Sequence, residues 1–243
     1  LIKTLGKTVV SEVKKVELHL DETILSKLPH IQIGLIRYQG ATVSESPKML
    51  KGRIELFLEQ LKTEYEPQEI GNIPQIGYFR QCFKALGISP SKYRPSSEAL
   101  LRRVLQGKPF PFIHSAADVN NFVSLYHLMP CGLYDADQLS GERLVMRLGR
   151  PGEAYISLAG KETSAEGKWI TADNAGPFGS PIIDADRTKT SLNSTHMLHI
   201  LYLPDPLKDG QDAHSLLQSV ADLFIQMNGG EVLDLKVMKQ SSA

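Results

Sequence analysis

The sequence predicts an α+β protein, and three observations predict it. Residues 46–128 hold several stretches with apolar side chains at helical spacing, and residues 143–203 hold short β-type runs between Gly-, Asp- and Pro-rich turns. A last amphipathic helix followed by one strand closes the chain, and no internal repeat, low-complexity tract or long linker divides it. One domain over 1–243 is therefore expected.

Composition narrows the function classes. At 243 residues with 42% hydrophobic and 22% charged content, the chain can bury a real core. Lys+Arg and Asp+Glu balance at 27 each, so no global field draws it to DNA, RNA or acidic lipid, and any RNA contact must come from a local patch. No apolar run approaches the ~20 residues that span a bilayer, and the opening LIKTLGKTVV lacks a signal-peptide core. No membrane partner and a cytoplasmic location are expected. Two cysteines, Cys82 and Cys131, make neither a disulfide framework nor a four-thiolate zinc site. With no H-E-x-x-H or C-x-x-C motif either, neither metal nor other cofactor is expected.

The elements follow in order. Val16 to Leu20 alternates as a strand, and Asp21 to Leu28 forms one or two helical turns before Pro29. Ile31 to Tyr38 is a β-type run closed by Gly40. Ser46-Pro47 opens a helix carrying Leu50, Ile54, Phe57, Leu58 and Leu61, with Pro47 in its first turn. A helix from about Gln75 to Leu86 stops at Gly87, and SSEALLRRVLQG forms the next. In that segment Arg102 and Arg103 lie off the apolar stripe, as a solvated face or a local phosphate patch. Strands are expected at Arg143 to Leu148, Ala154 to Leu158, Lys168 to Thr171 and Met197 to Leu203, with Trp169 anchoring a sheet. A helix near Asp212–Asn228 stops at Gly229-Gly230, and Glu231 to Met238 is a last strand.

Two stretches stand out for chemistry. In SAADVNNFVSLYHLMPCGLYDAD, Ser115 and Asp118 have capping-box spacing. Stepping about 100° per residue gathers Asn120, Asn121 and Ser124 on one arc and Val119, Phe122, Val123, Leu125 and Tyr126 on the other. Pro130-Cys131-Gly132 stops the helix before a short strand at Leu133 to Asp135. Two carboxamides and a hydroxyl on one face line a polar pocket or form an ordinary solvent face, the commoner outcome. In DNAGPFGSP, followed by DADRT, glycine backbone can approach a ligand oxygen and Arg187 can add a charged hydrogen bond. A tight turn with Asp186–Arg187 at the surface explains the same residues. A serine hydrolase built on Ser124 or Ser180 with His127 as base lacks the G-x-S-x-G elbow. His196 and His199 lie on opposite faces of a strand, and Cys131 is a pocket thiol or a small buried residue.

The ordered segments YRPSSEALLRRVLQGK, DVNNFVSLYHLMPCGLYDAD, RLGRPGEAYISLAGK, ADNAGPFGSPIIDADRTKT and NSTHMLHILYLPD resemble the editing domain of the phenylalanyl-tRNA synthetase β subunit, and more closely its free-standing version. The resemblance covers about Tyr93 to Pro204. It implies a three-layer β/β/α fold with the editing-like core at 93–204, around which the sequence itself places an arm at 1–15, an N-terminal α/β layer at 16–92 and a C-terminal helix and strand at 205–243. In the synthetase, this domain hydrolyses tyrosine wrongly esterified to phenylalanine tRNA, in a pocket between helix, strand and glycine-rich loop. The family's Thr-Asn pair falls on Asn120 and Asn121, and its loop falls near Gly176 to Ser180. Together with the strand, this places Asn120, Asn121, Gly132, Tyr134, Asp135, Gly176, Gly179, Ser180 and Arg187 around a bound aminoacyl group or 3′ adenosine.

The departures are specific. Where the family has the histidine of Pro-Leu-His-Ala-Phe-Asp, this chain has Gly132, and the family's glutamate falls at about Ile200, with His199 adjacent if the register slips by one. Losing two groups that read a tyrosine hydroxyl removes that discrimination, so the pocket is expected to take another ligand. The expected function is trans hydrolysis of mischarged aminoacyl-tRNA, with Asn121 or Ser124 orienting water and the amides of Gly176–Ser180 facing the oxyanion. Rival expectations are a non-catalytic module holding a free amino acid or the tRNA acceptor end, and a small-molecule enzyme reusing the pocket.

Overall fold

The computed structural model describes residues 15–239, so the expected arm falls outside the described residues except for Lys15. The described elements are β1 (Glu17–Leu20), α1 (Glu22–Lys27), β2 (Gln32–Gln39), α2 (Lys48–Glu64), α3 (Pro74–Ala85), α4 (Ser96–Leu105), α5 (Ser115–His127) and β3 (Cys131–Asp135). There follow β4 (Arg143–Leu148), β5 (Ala154–Ile156), β6 (Glu162–Ser164), β7 (Trp169–Asp173), β8 (Gly176–Gly179), β9 (Met197–Leu203), α6 (Ala213–Asn228) and β10 (Glu231–Lys239).

The middle layer is an antiparallel sheet of order β10-β2-β9-β3. Every residue of MLHILYL in β9 is buried, as a nearly unbroken apolar run requires when both faces of a strand are covered. Helices α5 and α6 cover one face. Tyr38 of β2 stacks on Phe224 of α6 with ring centroids 4.1 Å apart. Gly34 leaves room for Leu217, whose Cδ1 would lie 2.6 Å from any Cβ at that position. The second sheet, of order β1-β4-β7-β8, covers the other face, with β1 parallel to β4 and the remaining pairs antiparallel. Between the sheets Trp169 meets Tyr202 edge-on at 5.1 Å and Tyr134 meets Phe178 at 4.8 Å. The result is an α+β architecture in β/β/α layers. A further helical group flanks it, with Phe57 of α2 on Phe122 of α5 and Phe83 of α3 on Trp169.

Several local expectations need correction. The N-cap of α5 is His114 rather than Ser115, and its Nδ1 accepts the Ala117 N–H at 3.2 Å. Ser115 instead donates to Asn228 Oδ1 at 2.6 Å, tying α5 to the end of α6. Asp118 accepts from Ile113 N–H and the Ser46 hydroxyl. The helix ends at Leu128, in the left-handed region with φ 54°, before Pro130 is reached. Pro47 is likewise the N-cap of α2, not a residue of its first turn. Strands β6 and β8 form where turns were expected. In β8, Gly-Pro-Phe-Gly has turn composition, yet pairing with β7 and burial of Phe178 hold it extended.

Glu98 of α4 is fully buried among partly exposed arginines. Arg80 of α3 donates to it twice, at 2.8 and 2.6 Å, and Arg102 once at 2.8 Å, which clamps α3 to α4. Burial alone would raise the carboxyl pKa, but the hydrogen bonds from Arg80 and Arg102 outweigh it and hold the group below its ordinary range. Glu98→Gln keeps the shape and removes the charge. Because the freed guanidiniums can reach water, the expected loss is about 1–3 kcal/mol, at the low end for a broken buried pair. It would be read as a lower urea midpoint at unchanged slope.

Candidate functional site

A cleft of about 920 Å³ opens where β3, the edge strand of the middle sheet, leaves the layers uncovered. One wall is helical, with Ser96, Leu100 and Arg103 from α4 and Ala117, Asn120, Asn121 and Ser124 from α5. Cys131, Leu133 and Tyr134 of β3 form the floor. The segment Ser180–Asp186 lacks only Pro181 from the opposite wall, beside Leu158 and Ala159. Lys189 and Arg103 bring two cations to a lining that is otherwise mostly apolar.

The expected site residues divide into three groups. Asn120, Asn121, Ser124, Tyr134 and Ser180 line the cleft together. Gly132 and Gly179 lie beneath Tyr134, where a Cβ on either would overlap its hydroxyl. Asp135, Gly176 and Arg187 are not in the lining. Asp135 accepts from the Ser194 hydroxyl at 2.6 Å, and Arg187 binds both oxygens of Asp173 and the Gly176 carbonyl. That arrangement closes the 173–176 turn and leaves the Arg187 fork occupied.

The chemistry of the lining is set by burial. The Tyr134 hydroxyl donates to Asp184 Oδ1 at 2.8 Å, and the Ser180 amide donates to the same oxygen at 3.0 Å. Among the described residues no hydrogen bond or ion pair falls on Asp184 Oδ2. Burial pushes the Asp184 pKa up to about 6, against the lowering effect of the Ser180 and Tyr134 donors. Burial also raises Tyr134 well above its ordinary range and pushes the Cys131 thiol up, so both stay protonated at neutral pH. Ser124 donates to the Met129 carbonyl at 2.8 Å, which leaves its oxygen free to accept. Asn120 Oδ1 meets His199 Nε2 at 3.1 Å across the helix–sheet interface.

Asp184 was missed by sequence reasoning. It lay in the quoted DADRT segment, but only the return of that loop over Tyr134 gives it a role. Ile200, aligned with the family's glutamate, faces away from His199 as its strand neighbour and is fully buried. His127 lies outside the lining, and its Nδ1 has no hydrogen-bond partner among the described residues. His196 precedes β9 and pairs with Asp137. Among the described residues, no group of three or more His, Cys, Asp or Glu is placed to hold a metal ion, and no helix is long and apolar enough to cross a membrane. The Gly176–Ser180 amides also differ from expectation, since Ser180 N–H is committed to Asp184 and β8 to its ladder.

Comparison with known proteins gives three findings. The model of the B3/4 domain family matches residues 79–220. The uncharacterized protein YhzB of Bacillus subtilis (strain 168) is 27% identical over 211 residues, covering 87% of this chain and 94% of YhzB. The crystal structure of an N-terminal fragment of the phenylalanyl-tRNA synthetase β-subunit from Pyrococcus horikoshii aligns with 91% of this chain at 11% identity and a TM-score of 0.41. This chain spans 52% of that fragment.

Two predictions follow the electrostatics. Tyr134→Phe removes a donor from Asp184 and should raise the Asp184 pKa above about 6, read from its ¹³Cγ shift against pH. Acid should also destabilise the fold. Burial depresses His199 to about 3 and His127 to about 4. Their contribution is complete above the ordinary histidine value and is lost as pH falls through it toward 4 and 3. Asp184 acts oppositely, contributing fully below its ordinary 3.8 and losing that contribution as pH rises through about 6. Two histidines outweigh one carboxylate, so the melting temperature should fall between pH 6.5 and pH 4.

Proposed function

The chain belongs to the B3/4 domain family, and on that premise we propose that its cleft holds the aminoacylated end of a tRNA and hydrolyses the ester. One observation carries the reading: Asp184 lines a mostly apolar cleft, both of its donors fall on Oδ1 and none among the described residues on Oδ2, and burial pushes its pKa up to about 6. A base of that strength is ionised at neutral pH, yet strong enough to accept a proton from attacking water. Water, oriented by Ser124 or Asn121, gives its proton to Asp184 Oδ2 as its oxygen bonds to the ester carbonyl carbon. Carboxamide N–H groups on α5 face the oxyanion. As the carbon–oxygen bond to the ribose breaks, Asp184 returns the proton to the departing oxygen. Free amino acid and a 3′-hydroxyl result, and the protein is unchanged.

Apolar side chains from Leu100, Ile182 and Ile183 suit an aminoacyl side chain, and the Arg103 cation suits a terminal phosphate, Lys189 being paired with Asp186 at 2.8 Å. A second reading, retention of the aminoacyl end without hydrolysis, draws support from position 132. The family's histidine has no counterpart there, and Tyr134 fills the space.

Incubation with a panel of tRNAs charged with different amino acids tests the proposal. At least one should be deacylated, with a rate that rises through an apparent pKa near 6. Asp184→Asn should slow it roughly 100-fold or more, and Asn121→Ala and Ser124→Ala should each lower it at unchanged stability. Binding without deacylation across the panel would establish the second reading.

A further inference from the structure

We propose that Tyr38, which is not among the cleft-lining residues, sets the hydrogen-bonding polarity of Asn120 through His199, so that the cleft offers an N–H₂ donor there to a carbonyl or carboxylate oxygen of the ligand. The three side chains come from β2, β9 and α5. His199 is fully buried between them, with Nδ1 3.5 Å from the Tyr38 hydroxyl and Nε2 3.1 Å from Asn120 Oδ1. Each contact has two possible senses, and only two arrangements are self-consistent.

A buried histidine held neutral, its pKa depressed to about 3 by desolvation, carries one N–H and offers one acceptor nitrogen. Tyr38 as a whole is 1% exposed, its ring lies on Phe224, and His199 Nδ1 is the one hydrogen-bond partner of its hydroxyl among the described residues. Burial raises its pKa well above the ordinary value, so the hydrogen stays on. If Nδ1 carried the imidazole hydrogen, the phenolic hydrogen would be left buried with no acceptor, which is the costly outcome. Tyr38 therefore donates to Nδ1, and the ring hydrogen resides on Nε2. Nε2–H donates to Asn120 Oδ1, and the amide nitrogen of Asn120 turns toward the cleft. The network fixes an orientation that the shape of a carboxamide leaves ambiguous.

The ligand consequence follows from sign. A donor at Asn120 attracts an oxygen and repels an ammonium. An aminoacyl group would thus enter with its carbonyl toward α5. This consequence rests on the proposed function; the placement of the hydrogen does not.

Two measurements test the proposal. Long-range ¹H–¹⁵N correlation of the histidine-labelled protein should show His199 as the Nε2–H tautomer, and an Nδ1–H tautomer would overturn it outright. The second is a double-mutant cycle with 3′-deoxy-3′-(L-phenylalanylamido)adenosine, a non-hydrolysable aminoacyl mimic. Tyr38→Phe should weaken binding roughly 3- to 10-fold, the worth of one hydrogen bond, and should have no effect in an Asn120→Ala background. An equal loss in both backgrounds, or none in either, would show that Tyr38 does not act through Asn120. Failure of the mimic to bind at all would count against the aminoacyl reading and leave the tautomer to decide the polarity.

Discussion

The arrangement of the cleft depends on where one phenolic hydroxyl is allowed to sit. Tyr134 points from the middle sheet toward the outer one, packs edge-on against Phe178 and reaches Asp184 across the gap. It can do so only because Gly132 on its own strand and Gly179 on the facing strand lack side chains. The hydroxyl spans two sheets that otherwise meet through apolar rings, and the loop carrying Asp184 is drawn down over it. The edge of β3, the turn into Asp184 and the depth of the hollow are consequences of that single contact.

Desolvation then sorts the polar groups by what they can do. Tyr134 and Cys131 keep their hydrogens, and His199 and His127 resist taking a second one. Asp184 is the exception, because two donors stabilise its charge while burial opposes it, leaving it poised near neutrality. A mostly apolar lining that carries Arg103, Lys189 and one such carboxylate differs from a site built on a triad or a metal. Asp184 comes from the loop that follows β8, not from a helix or strand.

Much of this was legible from residue order. Apolar spacing and stop signals placed the six α-helices, and Met197 to Leu203 was read as a strand. The polar arc of α5 was visible too, because Asn120, Asn121 and Ser124 share a face. What pattern could not supply was the far side of the contacts. Glycines 132 and 179 look like loop formers in one dimension, but their role is to admit a tyrosine. Arg187 looks like a ligand-binding cation until Asp173 is found holding both arms of its fork. His114 displaces Ser115 as the cap because Asn228, more than a hundred residues away, claims the serine. Each miss involves a partner brought in by tertiary folding, which no local window contains.

The position of β2 has a bearing on how portable this architecture is. The segment from Tyr93 to Pro204, which holds the ordered motifs around the cleft, supplies only β3 and β9 to the four-stranded middle layer. Its other two strands, and the helix that Leu217 and Phe224 anchor over Gly34 and Tyr38, are contributed by chain lying before and after that segment. Excised by itself, the segment would bare one long edge of β9 and uncover a hydrophobic surface. The matched family model, residues 79–220, likewise stops short of β2 and β10, so any transplant of the cleft into a new host must carry both flanks with it.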